Sequence, residues 1–300
     1  MGIIYYTTLP ALEYYFQPKT VSDAISLLIS HGEGTKILAG GTDLLVLMRN
    51  RALKPECIID ITKIPGLDHI SYHDEDGLRI GALATLRAVE LSGVVKDNYP
   101  VLHEAAQQMG STQVKNMGTV VGNLCRASPS ADTAPPLLVL DAEIRIAGPT
   151  ETRIVPLEGF FIGPGQTVLK HYEMVTEIVV PNLPAGTGMA FLRATRVAAD
   201  LAKVNVASAV TVKNGACEDA RIALGGVAPT PIRARKAEEV LKGENLGDGV
   251  VQEAAEMAAT EIRPIDDVRS TAEYRKELSK VLVSRAIRLS QQRAQGMTGR

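Results

Sequence analysis

Tryptophan is missing from this chain of 300 residues, an absence with no functional reading of its own. Other shortages exclude more. There are three cysteines, Cys57, Cys125 and Cys217, widely spaced and odd in number. They cannot form a paired disulfide framework, and they are too few for a four-thiolate iron–sulfur cluster. They read as reduced, largely buried thiols of a cytoplasmic protein. No stretch approaches the roughly 20 apolar residues of a membrane-spanning helix. Lys and Arg form no block, and the net charge is −2, so the electrostatic footprint of a nucleic-acid binder is absent. The segment Met1-Gly2-Ile3-Ile4-Tyr5-Tyr6 has no cationic region, and Tyr6 stands where a myristoylation signal needs Ser or Thr. G-x-S-x-G, H-E-x-x-H, Walker A and a post-strand G-x-G-x-x-G are all missing. The histidines are dispersed; His69 and His73 lie four apart with no third ligand nearby, so no zinc site is expected. No catalytic side chain and no metal ligand is assigned.

What the chain does have is enough apolar residue, 45%, for two or three domains with cores. It also has two glycine-bearing segments, Ala39-Gly40-Gly41-Thr42-Asp43 and Gly118-Thr119-Val120-Val121-Gly122-Asn123. Each combines small residues, backbone N–H groups and hydroxyls, which is what a polyphosphate needs for close approach. A single Gly-Gly also marks a plain turn. Two such segments, with Asp132 soon after the second, suggest a dinucleotide held between them.

The pattern reads β–α–β over the first 60 or so residues. A strand at Glu13–Gln17 precedes helical spacing at Val21, Ala24, Ile25 and Leu28, with Gly32 at a C-cap. Strands at Lys36–Ala39 and Cys57–Ile61 flank a short helix around Leu44–Met48. A hairpin through Asp74-Glu75-Asp76-Gly77, helices near Leu86–Leu91 and Val101–Gln108, and strands near Glu143–Ala147, Thr152–Val155 and Glu177–Val180 form a second unit. Asp132 could cap the apolar stretch that follows it. After a Pro/Gly boundary at Pro181–Gly188 come strands at Met189–Arg196, Val204–Lys213 and Ala220–Leu224, then helices to the C-terminus, an α+β order.

Several ordered motifs together resemble the FAD-binding medium subunit of the molybdenum hydroxylases, the family of carbon monoxide dehydrogenase, the xanthine dehydrogenases and 4-hydroxybenzoyl-CoA reductase. They are Phe16-Gln17-Pro18; Ile37 through Leu44; Gln113 through Thr119; Gly122-Asn123-Leu124; Ala127 through Asp132; and Ala223 through Pro231. One position departs: Val121 stands where most relatives have the first glycine of Thr-x-Gly-Gly-Asn. The resemblance implies an α+β chain. A vanillyl-alcohol-oxidase-type (PCMH-type) FAD domain would cover residues 1–184, as α/β subdomains of about 1–62 and 63–184. Residues 185–300 would form a CO-dehydrogenase-flavoprotein-like α+β domain with a three-stranded antiparallel sheet and helices.

It further implies non-covalent FAD. Ile37, Leu38, Ala39, Gly40, Gly41, Thr42, Asp43 and Leu44 would form the first cofactor loop, and Thr119, Gly122 and Asn123 the second. Met109, Gly110 and Val175 would flank the flavin or adenine, Asp132 would reach the ribose, and Arg193 and Leu201 would lie at the flavin ring. Core packing for Met109 and Gly110, capping for Asp132 and surface ion pairs for Arg193 and Arg196 stay open beside these roles. The expected assembly is a heterotrimer, dimerised. A large subunit would hold molybdopterin and a small one [2Fe-2S] clusters, and this chain would pass electrons between those clusters and an external acceptor. Two other readings remain: a self-contained flavin oxidoreductase of the same fold, and an FAD-free assembly chain.

Overall fold

The computed structural model describes residues 9–296. The hexapeptide Met1–Tyr6 lies outside the described residues. The first layer is a parallel sheet of Tyr14–Phe16, Cys57–Asp60 and Thr35–Leu38, with Cys57–Asp60 central. Its central strand is buried throughout, as a sheet covered on both faces requires. Helix Val21–His31 crosses between the outer strands. Thr20 Oγ1 accepts from Asp23 N at 3.0 Å to start it, and Gly32, at φ +66°, closes it with an N–H bond to Leu28 O.

The second layer is an antiparallel sheet ordered Ile70–His73, Gly77–Gly81, Met174–Val180, Glu143–Ala147, Thr152–Pro156. Short helices connect its two halves, among them Leu86–Leu91, Pro100–Gln108, Thr112–Met117, Val120–Cys125 and Ala134–Val139. A small hairpin, Phe161–Gly163 with Gln166–Thr167, projects beside them.

The third layer is an antiparallel sheet of Thr187–Ala194, Val204–Lys213 and Ala216–Gly225, the three strands expected, extended by a two-residue strand, Ile232–Arg233. Asn214 and Gly215, at φ +53° and +85°, make the tight turn between its two long strands. Alternation along Val204–Lys213 sorts its side chains onto two cores. Ala207 and Ala209 join Met189 and Phe191 against the core of the first two layers, while Val204, Val206 and Val210 face the helices Arg235–Leu241, Asp248–Glu261 and Ala272–Ala294. The last helix lies so close to the sheet that a Cβ on Gly188 would sit 2.0 Å from Ser290 O. The buried hydroxyls of Ser208 and Ser290 meet there at 2.6 Å.

The interface between the second and third layers carries buried charge. Arg233 forms a two-pronged pair with Glu238, at 2.6 and 2.9 Å, and also donates to Asp141 and to Leu138 O. Arg293, on the last helix, pairs with Glu104, whose other oxygen accepts from Phe191 N at 2.9 Å. These contacts tie the C-terminal domain to helices of the second layer.

Candidate functional site

The first glycine segment ends the strand Thr35–Leu38 and starts the helix Leu44–Arg49. Gly41 adopts φ +71°, a backbone that L side chains rarely take. Gly40 is required for a different reason: a Cβ on it would lie 1.8 Å from Met117 O and 3.0 Å from Gly118 Cα. The first turn therefore touches the backbone of the second segment directly. That second segment is itself held in place by Leu86 N donating to Gly118 O at 2.8 Å and Val120 N to Ala84 O at 3.3 Å.

The second segment was expected to be a loop. It is instead a turn at Gly118 and Thr119 that opens the helix Val120–Cys125, so Val121, Gly122 and Asn123 are helical. Thr119 is its N-cap, its hydroxyl accepting from Gly122 N at 2.9 Å. That hydroxyl fills the space a Cβ on Gly122 would need, at 2.8 Å. Capping chemistry won over loop chemistry because the Thr119 hydroxyl caps the turn and Val120, Val121 and Leu124 are buried by it, despite weak helix propensity. Asn123 is tethered by Thr133 Oγ1, which donates to its Oδ1 at 2.6 Å, leaving the NH₂ as the end without a protein acceptor among the described residues.

Between these segments opens a cavity of about 730 Å³, within the range of small-molecule and cofactor sites. Of the residues expected at the cofactor, Ile37, Ala39, Gly40, Gly41, Thr42, Asp43, Leu44, Met109, Thr119, Gly122, Asn123 and Val175 line it. Leu38 lies under the turn, its Cδ1 3.0 Å from where a Gly41 Cβ would be. Gly110, Asp132, Arg193 and Leu201 are not on the wall.

Asp132 and Arg193 are brought together elsewhere. The helix Ala134–Val139 is capped at Thr133, without a side-chain bond, so the capping role read for Asp132 is not realised. Its carboxylate is buried; Oδ2 accepts from Arg193 Nη1, and Oδ1 accepts from Asn205 Nδ2 at 2.7 Å. Burial pushes its pKa up, against the pull of Arg193 and Asn205. The surface ion pair considered for Arg193 is likewise not what forms, since the side chain is buried and also donates to the carbonyls of Ala198 and Asp200. Arg196 does form an exposed pair, with Asp200 at 3.5 Å. Leu201, half exposed, sits on the segment that Arg193 holds.

Several wall residues were not among those expected at the cofactor. Val121 is buried and faces the cavity. Cys125 lies on the wall too; burial raises its pKa to about 12, so it stays a neutral thiol. The far wall is the segment Leu169–Val175, shaped by buried Glu173, which takes Arg153 on both oxygens and Lys170 N at 2.9 Å. Arg126, at the end of the second segment's helix, faces Asp43 of the first, Nε to Oδ1 3.7 Å. The tell-tale for Arg126 was only its place as the first cation after that segment.

The donor set fits a bound dinucleotide diphosphate. The amides of Gly40, Gly41, Thr42, Asp43 and Leu44 have no acceptor among the described residues, and they lie on the cavity wall next to a helix start. Successive unpaired N–H groups at a helix N-terminus form an anion-binding concavity. Ile37, Leu44, Leu86 and Leu169 supply apolar wall for a planar ring system.

The fold and this site define a dinucleotide-cofactor-binding chain, and comparison with known proteins says which cofactor. Residues 10–183 match the family described as FAD binding domain in molybdopterin dehydrogenase, and residues 189–289 match the CO dehydrogenase flavoprotein C-terminal domain. Among curated proteins, the chain is 35% identical to the carbon monoxide dehydrogenase medium chain of Hydrogenophaga pseudoflava, over 93% of this chain and 96% of that one. It is 32% identical to the xanthine dehydrogenase FAD-binding subunit of Escherichia coli, over 91% and 94%. Among solved structures, carbon monoxide dehydrogenase from Hydrogenophaga pseudoflava, in a form lacking the Mo-pyranopterin moiety of its cofactor, superposes with TM-score 0.92 at 35% identity. That match covers 94% of this chain and 98% of the other. Quinoline 2-oxidoreductase from Pseudomonas putida 86 does so with TM-score 0.89 at 28% identity, covering 97% and 99%. This chain belongs to the FAD-binding medium-subunit family of the molybdenum hydroxylases. It is an oxidoreductase subunit with FAD as its cofactor.

Proposed function

We propose that this chain relays electrons between [2Fe-2S] clusters of a small partner subunit and an external acceptor, within a cytoplasmic assembly whose large subunit holds the molybdenum cofactor. The assembly is a dimer of heterotrimers. The observation that carries the reading is the row of acceptor-free amides, Gly40 to Leu44, facing Thr119–Asn123 across a cofactor-sized cavity. FAD, when bound, supplies the redox chemistry of its ring. The chain's own groups bind and orient. Amides of the first turn take the diphosphate, Asn123 offers its NH₂, and the apolar walls exclude water from the ring. Ile37–Leu44, Met109, Thr119, Gly122, Asn123 and Val175 form this contact set. Leu38, Gly110, Asp132, Arg193 and Leu201 serve it from behind, the buried Asp132–Arg193 pair by anchoring the segment that carries Leu201. The FAD domain spans residues 1–184, with subdomains near 1–62 and 63–184, and residues 185–300 form the second domain; the change from the sheet ending at Val180 to the one beginning at Thr187 supports this division.

The test is anaerobic mixing of the purified, FAD-loaded chain with dithionite and, separately, with purines, aldehydes, aromatic thioesters and carbon monoxide. Dithionite is expected to bleach the flavin bands and the organic substrates are not. Rapid bleaching by any substrate in the absence of other subunits would assign the self-contained flavoenzyme instead.

A further inference from the structure

The cavity's donors are backbone dipoles, and a cofactor diphosphate carries full negative charge. The chain as a whole, at net −2, offers no compensating field. The compensation has to be local. The cationic side chains on the wall are Lys36, Arg126 and Lys170, with His171 beside the last. Lys170 is turned onto the ring of Tyr172, its Nζ 5.7 Å from the centroid. Lys36 is exposed on the strand that precedes the glycine turn. Arg126 is the cation placed at the turn itself.

Its position is built from three segments. The helix Val120–Cys125 ends at Arg126, and Ala127, at φ +48°, reverses the chain immediately after it. The small hairpin closes over this end: Gly165 N donates to Ala127 O at 2.9 Å, and a Cβ on Gly165 would lie 3.4 Å from Arg126 Nη1. From there the guanidinium extends to Asp43, with Nε and Oδ1 3.7 Å apart. That is a charge contact longer than a hydrogen bond, between side chains 36% and 54% exposed, and such a pair contributes little on its own. Asp43 belongs to the same turn as the acceptor-free amides. A guanidinium there is suited to phosphate, because its planar donors match two oxygens at once.

We propose that Arg126 is the counter-charge for the cofactor's diphosphate. Asp43 holds it at the glycine turn in the free chain and yields it to the diphosphate on binding. The contact with Asp43 keeps the cation ordered over the nest. Its looseness lets the stronger anion displace it, and Asp43 itself opposes the incoming charge. This rests on the FAD reading above, and it assigns a role to a residue whose neighbours in the sequence do not announce one.

The test uses the full chain freed of flavin, titrated with FAD by flavin fluorescence at low and high salt, with riboflavin as the phosphate-free probe. Arg126→Gln is expected to weaken FAD by about tenfold to a hundredfold, the range of a lost hydrogen bond to a charged group. It is also expected to flatten the salt dependence of FAD affinity and to leave riboflavin unaffected. Arg126→Lys, which keeps the charge, restores the salt dependence and part of the affinity. Asp43→Asn tightens FAD severalfold. The proposal is overturned if Arg126→Gln binds FAD like the unaltered chain, if its salt dependence is unchanged, or if Asp43→Asn weakens FAD as Arg126→Gln does, since the pair would then be a structural tie. Melting curves of the flavin-free variants separate misfolding from lost affinity, and Asp43→Asn decides the matter independently if Arg126→Gln fails to fold. Failure of the unaltered chain to bind FAD would remove the cofactor reading itself, a distinct result.

Discussion

Replacing Gly40 with alanine adds one methyl group at the point where the two cofactor segments touch. The new Cβ would lie 1.8 Å from Met117 O, about 1.6 Å inside ordinary contact distance, and 2.6 Å from Met117 C. No side chain can swing away, because both partners are backbone. Met117 and Gly118 cannot retreat cheaply either, since Leu86 N holds Gly118 O at 2.8 Å and Val114 O accepts from Gly118 N at 2.7 Å. The turn has to move as a body. Overpacking of this kind costs about 1–3 kcal/mol, and the rigid surroundings put Gly40→Ala at the upper end. At roughly 2–4 °C per kcal/mol the melting temperature should fall by about 5–10 °C. The amides of Gly40–Leu44 move with the turn, so FAD affinity should drop by about tenfold or more, the worth of one charge-assisted hydrogen bond. Scanning calorimetry and FAD titration of the flavin-free chain measure both. Gly93→Ala is the matched control, since a Cβ at that helix start meets nothing within 4 Å and should be neutral to slightly stabilising. A Gly40→Ala chain with unaltered melting and FAD affinity within about twofold, by the arithmetic of, would refute the reasoning that the two segments are in hard contact.

Val121→Gly should destabilise the chain. The valine is a buried residue of a helix, so glycine loses about 1.5–3 kcal/mol of burial and roughly a few tenths of a kcal/mol of helix propensity. A melting temperature equal to that of the unaltered chain would contradict this. Asp60 should carry pH-dependent stability. Burial would raise its pKa, but hydrogen bonds from Thr62, Tyr15 and Gln17 outweigh it and hold the carboxyl at about 2. The folded pKa lies below the unfolded value of about 3.9, so this stabilisation is present above about pH 4 and lost as pH falls through about 2. Tyr15→Phe, which removes a 2.6 Å hydrogen bond, should cost about 1–2 kcal/mol at neutral pH, with the deficit shrinking below about pH 3. Carboxyl NMR should show the Asp60 pKa rising in that variant, and an unmoved value would count against the hydrogen-bond account.

Much of the architecture could be read from local rules. Thr20 and Gly32 bound the first helix where capping chemistry puts them, and Asn214-Gly215 turns the chain where left-handed backbone is needed. The β-branched residues of Val204–Lys213 announce a strand, but that both its faces are buried is decided by what packs on each side. The first glycine turn was legible from a local rule: residues without Cβ in succession mark a backbone that something must approach. What approaches Gly40 is the carbonyl of Met117, and no local rule contains that.

Tertiary structure decided the rest, wherever a side chain had competing local and distant partners. Asp132 is one residue from a helix start, and a helix amide was the near option; Arg193 and Asn205, 61 and 73 residues away in sequence, took its carboxylate instead. Buried charge is stabilised by an opposite charge far more than by a single amide, so the long-range pair prevails once the fold brings it within reach. Thr119 went the other way. Its N-cap bond to Gly122 lies within one turn of chain, and it converted an expected loop into a helix start. Asp43 and Arg126 meet only because the segments that carry them close on each other at Gly40 and Met117. Sequence alone therefore determined most of the longer elements, the first backbone opening and the family of this chain. The third dimension alone determined which charges face the cofactor cavity, because charge pairing depends on distance through space and the sequence records only distance along the chain.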